Sequence, residues 1–225
     1  MRGGEYMIRT DPSLTFENDL WQGGLRYIAG LDEAGRGALA GPVAVGAVIL
    51  PNDQHLLTTH RGHRGGALSG VRDSKQMTPL ERESAAVRIK GLALTWSVAF
   101  ASSEEIDSEG IVRATRLAAL RALHDLFLLP EYLLTDFRLE LPQLDIPQTS
   151  LVKGDALCLS IAAASVLAKT ARDALMREMD LQVPGYGLGK HKGYGTLAHR
   201  LALESLGYSS IHRKTFVLKG SRITH

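Results

Sequence analysis

The sequence predicts an α/β fold, in which a central sheet is covered by helices on both faces. Residues 26–32 and 43–50 are short apolar runs that end at glycine or proline turns, which is typical of buried strands. Two neighbouring strands this apolar indicate a sheet with helices on both sides. The alanine-rich run 157–180 has a strongly helical composition. Strands interspersed with such helices predict an α/β domain with a helical C-terminal appendage.

Weaker patterns predict the other elements. Thr78 followed by Pro79 is typical of a helix N-terminus, with the threonine as cap and the proline in the first turn. Ser102 or Ser103 is expected to cap a helical stretch that begins at residue 104. Further strands are predicted over 92–101 and 131–136, further helices over 110–128 and 196–206, a surface loop over 52–70 and an irregular segment over 137–156. The chain is thus expected to comprise a flexible lead over 1–26, a main domain over 27–181 and a basic helical extension over 182–225.

Composition narrows the class of protein. Hydrophobic residues make up 44% of the chain and charged residues 22%, which is ordinary for a soluble globular protein. No run approaches the roughly 18 apolar residues of a membrane span, and the N-terminus lacks the apolar stretch of a secretory signal. The single cysteine, Cys158, excludes an internal disulfide and a cysteine-based zinc cluster. A cytoplasmic protein is therefore expected.

The charge is unevenly distributed along the chain. The net charge is only +2, but residues 189–225 contain seven Lys or Arg residues and one acid. A basic end beside a mildly acidic body suits a surface that binds phosphates near a carboxylate-lined site. A solvated basic tail would give the same composition, so charge alone does not decide between the two.

Four acids are candidates for the chemistry. The first predicted strand ends on Asp32, which Glu33 follows at once, and a later one ends on Asp136; sites in open α/β sheets gather at strand ends. Asp173 lies on the alanine-rich helix, on the same face as Lys169, which could then lie near a phosphate. Carboxylates that converge without His or Cys suit Mg²⁺ or Mn²⁺ and not zinc. Any one of these acids alone would more simply be a solvated residue.

Other residues could bind a phosphate or sugar. Gly35-Arg36-Gly37 follows the acid pair, where glycines let the backbone approach a ligand and arginine offers a planar donor fork. Ser74 and Lys75 precede a helix and could present donors to a phosphate. Tyr194 lies between glycines in the basic region and could stack on a sugar or base. Each motif alone is equally consistent with an ordinary turn.

Taken together, these residues resemble the ribonuclease HII family from about residue 27 to residue 216. The matching strings, in order, are YIAGLDEAGRGALAGPVAVGAVIL at 27–50, DSKQMTPLERE at 73–83, GIVRATRLAALRAL at 110–123, KGDALCLSIAAASVLAKTARDALM at 153–176, YGLGKHKGYGTLAHRLAL at 186–203 and SSIHRKTF at 209–216. The resemblance implies the ribonuclease H fold, a mixed five-stranded sheet flanked by helices, with a helical C-terminal extension. It also implies two Mg²⁺ or Mn²⁺ ions held by four acids, placed here on Asp32, Glu33, Asp136 and Asp173.

The resemblance also implies the substrate. The loop of Gly35, Arg36 and Gly37 matches the family's element for the ribose 2′-hydroxyl, the group that distinguishes RNA from DNA. Tyr194 matches a tyrosine that packs on the nucleotide beyond the ribonucleotide. RNA–DNA hybrids and single ribonucleotides in duplex DNA are the implied substrates, cut by two-metal hydrolysis to leave a 5′-phosphate and a 3′-hydroxyl.

Two alternatives stay open at this stage. A type HIII-like hydrolase would cleave long hybrids but leave an isolated ribonucleotide intact. A duplex-binding module with a decayed site would bind without cleaving, although the complete set of acids argues against it. The chain is expected to act as a monomer, and no partner protein is deducible.

Overall fold

The computed structural model describes residues 11–57, 66–137 and 139–216. Within these ranges the strands are β1 (Ile28–Ala34), β2 (Val43–Ile49), β3 (Thr95–Ala101), β4 (Tyr132–Asp136) and β5 (Gln148–Leu151). The α-helices are α1 (Thr15–Gln22), α2 (Pro79–Leu92), α3 (Ser103–His124), α4 (Gly154–Leu157), α5 (Leu159–Gln182), α6 (Leu188–His191) and α7 (Leu197–Leu206). No helix in the described ranges is long and apolar enough to cross a lipid bilayer.

The five strands form one mixed sheet in the order β3-β2-β1-β4-β5. The first three strands pair antiparallel, whereas β4 and β5 run parallel to β1. Helices α1, α2 and α5 pack on one face, and α3 packs on the other. The predicted α/β class and the mixed five-stranded sheet flanked by helices are therefore confirmed.

Helix N-termini are well predicted from local sequence. Thr78 caps α2 and forms a capping box with Glu81, while Ser102 caps α3 and pairs in the same way with Glu105. Gly110 has φ 77° within α3, so two helical segments meet there. The predicted helical stretch from residue 104 and the predicted helix over 110–128 are thus joined into one kinked helix, which ends at His124 and not at residue 128.

Helix α5 lies unusually close to the sheet at Gly30, in the middle of β1. A methyl group at this position would collide with the backbone of Ser160 and Ile161 at the start of α5. Glycine is required here because the helix backbone occupies the space of a side chain.

We expect Gly30→Ala to lower the free energy of unfolding by roughly 1–3 kcal/mol, because the added methyl overpacks the joint between helix and sheet. Chemical denaturation monitored by circular dichroism measures this loss. Gly91→Ala is a suitable control, since a methyl group there meets no atom within 4 Å. Equal stabilities of the two variants would contradict the close approach.

Other boundaries also differ from the sequence predictions, and β3 begins at Thr95 and not at residue 92 because α2 continues to Leu92. Residues 15–22 form α1, whereas the sequence predicts an irregular lead over 1–26; residues 1–10 lie outside the described ranges. The segment predicted to be irregular contains β5 and α4. Strand β1 continues through Ala34, two residues past its predicted end at residue 32, so Glu33 lies within the strand and not after it.

A long-range contact explains why α1 forms where the sequence predicts an irregular lead. The Glu17 carboxylate is buried, and its Oε1 atom accepts a hydrogen bond of 2.8 Å from the backbone N–H of Ser160. This carboxylate therefore caps the N-terminus of α5 from outside the helix. Trp21 and Leu14 are buried beside it. The contact joins residues 143 positions apart, so local sequence does not reveal it.

The predicted surface loop over 52–70 is anchored at both ends. A 3-10 turn forms at Gln54–Leu56, and Leu56 and Leu68 are buried in the core under α2. Residues 58–65 lie outside the described ranges. The division at residue 181 stays a prediction, since α5 continues to Gln182 and α6 packs against it.

Candidate active site

Parallel pairing of β1 and β4 brings two of the predicted acids side by side. Leu31 pairs with Thr135, so Asp32 and Asp136 are the next residues on the two adjacent strands. Asp32 is 3% exposed, and its Oδ1 atom accepts a hydrogen bond from the backbone N–H of Glu33. The sheet topology therefore creates this carboxylate pair from residues far apart in sequence.

A third segment adds an acid that the sequence analysis did not select. Asp136 Oδ1 accepts a 2.8 Å hydrogen bond from the backbone N–H of Gly154, which starts α4. The next residue, Asp155, is 6% exposed. Its carboxylate lies 3.9 Å from the Lys75 ammonium group. Because Asp155 directly follows Gly154, the hydrogen bond from Gly154 to Asp136 places Asp155 beside Asp136, at the same end of the sheet.

The pKa shifts of the buried acids show which carboxylates repel one another. Burial raises the pKa of Asp32 well above its usual range, and the charges of Glu33, Asp136 and Asp155 raise it further, against the opposing effect of the Ser165 hydroxyl. Burial also raises the pKa of Glu33, which Arg36 partly offsets. We call Asp32, Glu33, Asp136 and Asp155 the carboxylate cluster.

The pKa of Asp155 reflects its burial and the repulsion from neighbouring carboxylates. Burial, followed by the charges of Asp73 and Asp136, raises the pKa of Asp155 to about 6. Burial alone would lower the pKa of Lys75, but the charges of Asp32, Asp73 and Asp155 together raise it. A single exposed lysine does not neutralise this much negative charge, so the cluster favours an additional cation.

Asp173, the fourth predicted ligand, has different partners. Its Oδ1 atom accepts a 2.7 Å hydrogen bond from Lys169 and its Oδ2 atom one of 3.1 Å from Arg82. All three side chains are largely buried. Each carboxylate oxygen therefore already has a cationic partner, and Asp173 holds Lys169 at the edge of the site.

The predicted substrate-binding residues line one groove of about 700 Å³. Glu33 and Asp173 also line it, with Lys190 and Lys192 from the basic region. Those predicted residues are Gly35, Arg36, Gly37, Ser74, Lys75, Lys169 and Tyr194. The structure thus brings together the glycine loop, the lysines and the tyrosine that the sequence places far apart.

The individual positions differ in exposure. Ser74 is buried, and its hydroxyl hydrogen-bonds to that of Ser165 on α5 at 2.9 Å, so it anchors the turn that presents Lys75. The half-buried Tyr194 ring lies 5.5 Å from the Lys169 ammonium group. The Arg36 side chain approaches Glu33 Oε1 at 3.9 Å. Cations and one aromatic ring therefore surround the acids, as phosphate and base binding requires.

Two fully buried arginines, missed by the sequence analysis, hold the glycine loop. Arg213 donates hydrogen bonds to the carbonyl oxygens of Gly35, Arg36 and Gly41. Arg172 donates to those of Pro42, Ala40 and Lys192, the last of which lies near Tyr194. Burial lowers the pKa of both guanidinium groups. The six carbonyl contacts replace the water that each charge has lost.

Gly35 is the residue of the glycine loop that lies closest to the Arg172 side chain. Its φ of 88° lies in the left-handed region, and a side chain there would collide with Arg172. The loop therefore needs glycine at this position both for its turn and for the arginine beneath it.

The donors in the carboxylate cluster suit a hard divalent cation. In the described part of the chain, Asp32 Oδ2 and Glu33 Oε2 are buried and accept no hydrogen bond. No three His, Cys, Asp or Glu side chains of the described residues are close enough together to hold one ion. The fit thus rests on oxygen donors, unpaired buried oxygens and unbalanced negative charge.

Comparison with solved structures places the fold. The ribonuclease H2 of Pyrococcus horikoshii matches with a TM-score of 0.70 and 24% identity, over 84% of this chain and 93% of that one. The ribonuclease HII of Archaeoglobus fulgidus, solved in complex with PCNA, matches with 0.69 and 24%, over 85% and 96%. The likeness to both structures shows that the chain has a ribonuclease H-like fold.

Sequence comparison identifies the family. The family model described as Ribonuclease HII matches residues 29–219. The ribonuclease HII of Dehalococcoides mccartyi is 48% identical over 210 residues, 93% of this chain and 94% of its own length. That of Synechococcus sp. is 52% identical over 205 residues, 91% and 88%. The chain belongs to the ribonuclease HII family, whose members are endoribonucleases of RNA–DNA hybrids that depend on divalent metal ions.

Proposed function

We propose that this protein cleaves the RNA strand of RNA–DNA hybrids and also cuts at single ribonucleotides in duplex DNA, leaving a 5′-phosphate and a 3′-hydroxyl. The observation that supports this is the groove in which Glu33 of the carboxylate cluster, the Arg36 loop and Tyr194 meet. Acids for hydrolysis, donors for a ribose and an aromatic platform lie within one nucleotide-sized space. Such activity would serve ribonucleotide removal from DNA in the cytoplasm, and we propose that the protein works as a monomer.

We propose that the carboxylate cluster binds two Mg²⁺ or Mn²⁺ ions, with Asp155 in the place that the resemblance assigns to Asp173. The charge of Asp155 raises the pKa of Asp32 and that of Asp136 raises the pKa of Asp155, whereas both oxygens of Asp173 are bonded to cations. When bound, the ions would supply charge stabilisation and an activated water for phosphoryl displacement. The protein's own part is to hold four oxygen donors at the end of β1 and β4.

The remaining groove residues select and hold the substrate. Arg36 and the backbone of the glycine loop contact the ribose 2′-hydroxyl, the group absent from DNA. Lys75, Lys169, Lys190 and Lys192 bind backbone phosphates. Tyr194 stacks on the nucleotide that follows the ribonucleotide.

The test uses three duplexes of one sequence, incubated with the protein and Mg²⁺ or Mn²⁺. We expect cleavage of the RNA–DNA hybrid and of a DNA duplex with one ribonucleotide, and none of the all-DNA duplex. Labelled products should carry a 5′-phosphate and a 3′-hydroxyl. Cleavage of the hybrid alone would instead support a type HIII-like hydrolase. Binding of all three duplexes without cleavage would support a module that has lost its activity.

A further inference from the structure

Three histidines, His191, His199 and His212, form a chain of ring contacts behind Tyr194. We call them the histidine chain. The rings of His191 and His199 stack with centroids 4.4 Å apart, and His199 Nε2 lies 3.0 Å from His212 Nε2. His199 and His212 are buried, on α7 and on the segment that follows it. Neither side chain lines the groove.

The hydrogen bonds of the histidine chain define which ring nitrogen of each buried histidine carries the proton. His212 Nδ1 accepts a 3.0 Å hydrogen bond from the backbone N–H of Ser209, so in the neutral ring the proton is on Nε2. His212 Nε2 then donates to His199 Nε2, which leaves the proton of His199 on Nδ1. That Nδ1–H donates to the carbonyl oxygen of Tyr194 at 3.1 Å. Burial lowers the pKa of both rings, that of His212 to about 4, which keeps them neutral at pH 7.

The backbone of Tyr194 is therefore held on both sides. Its N–H donates to the carbonyl oxygen of His191 at 3.0 Å, and its carbonyl oxygen accepts from the His199 ring at 3.1 Å and from the backbone N–H of Thr196 at 2.8 Å. Gly193 and Gly195 flank it, so the neighbouring residues restrict the backbone little. An aromatic ring between two glycines points in one direction only if its backbone is fixed from outside.

We propose that His199 is a positioning residue for substrate recognition, which holds the Tyr194 ring in the groove, and that His212 orients the ring of His199 for this purpose. The inference rests on the proposed stacking role of Tyr194. His199 touches neither substrate nor metal and acts through the main chain of Tyr194. Its contribution should therefore appear in cleavage at a single ribonucleotide, where one stacked nucleotide matters most, and much less in cleavage of a uniform hybrid.

The experiment measures kcat/KM on a DNA duplex with one ribonucleotide and on a uniform RNA–DNA hybrid, and compares their ratio. The ratio is independent of the fraction of protein that is folded, so a general loss of stability does not change it. We expect Tyr194→Ala to lower the ratio roughly tenfold or more, as loss of one stacked base predicts. His199→Leu, which removes the bond to Tyr194, should lower it by roughly the same factor.

Two further variants make the test specific. His199→Asn keeps an amide donor near the position of Nδ1 and should restore most of the ratio. In the Tyr194→Ala background, His199→Leu should cause no further fall, because both changes act through one side chain. If His199→Leu yields no folded protein, His212→Asn takes its place, since it keeps the Ser209 contact and removes only the support of His199.

The outcomes separate the two proposals. A ratio lowered by Tyr194→Ala but unchanged by His199→Leu overturns the positioning role and leaves the proposed function intact. Additive losses in the double variant also overturn it. If Tyr194→Ala leaves the ratio unchanged, the stacking role fails and the positioning role falls with it, while cleavage of the hybrid by the wild-type protein still tests the nuclease activity separately.

Discussion

Asp32→Asn is expected to lower kcat by roughly a thousandfold or more while leaving the fold intact, because one donor to the metal ions is lost. The stability of the metal-free variant, in contrast, should equal or exceed that of the wild-type protein. The folded-state pKa of Asp32 is raised, so without metal the protein loses stability as pH rises above the unfolded value of about 4. Asparagine removes that penalty, so in EDTA at pH 7 the variant should melt at the same temperature as wild type or higher.

Thermal melting and cleavage of a uniform hybrid test this pair of effects together. Asp145→Asn, at a loop position away from the cluster, is the matched control and should change neither quantity. A lower melting temperature for Asp32→Asn in EDTA would contradict the buried, repelling environment. Near-wild-type activity would remove Asp32 from the catalytic machinery.

Asp155→Asn is expected to lower kcat about a hundredfold and to weaken Mn²⁺ binding, because the cluster loses a coupled carboxylate. Asp173→Asn should retain Mn²⁺ binding but lower the free energy of unfolding by about 3 kcal/mol, since Lys169 and Arg82 are left as largely buried cations without their partner. Calorimetric titration with Mn²⁺ and chemical denaturation measure the two quantities.

The comparison decides which acid completes the site. If Asp173→Asn abolishes Mn²⁺ binding and Asp155→Asn does not, the assignment implied by the resemblance holds and ours fails. A loss of binding in both variants would mean that both acids contribute to the metal site, and our exclusion of Asp173 would fail.

The ambiguity between these two acids has a simple origin. Both lie in the single matching string over 153–176, so a match of that string does not tell which of them faces the cluster. Only the hydrogen bond from Gly154 to Asp136 places Asp155 there. In contrast, Asp32 and Glu33 are predictable because an apolar strand leads directly to them.

Elements were predictable wherever local patterns were strong. Strand β2 is entirely apolar and α2 has a complete capping box, so both are visible in the sequence. Strand β5 has the sequence QTSL, lies at the edge of the sheet and is only half-buried, so it shows no apolar alternation. Helix α1 depends on the contact of Glu17 with a distant helix end.

The buried residues around the groove were the least predictable part of the site. Arg172, Arg213, His199 and His212 have polar side chains, for which burial is not the usual expectation. Their partners are backbone groups and one another, so no residue of opposite charge in the sequence indicates their burial. Predicting them requires the packing of the C-terminal segment against the glycine loop.

Arg172 and Arg213 bind main-chain oxygens, so the backbone path of the glycine loop is fixed separately from the side-chain groups that the loop presents. Any residue at position 36 offers the same carbonyl oxygen to Arg213, so this contact does not depend on the side chain that we propose faces the sugar. Position 36 is therefore a place where selectivity for modified riboses can be engineered, by changing the group presented to the substrate on an unchanged scaffold.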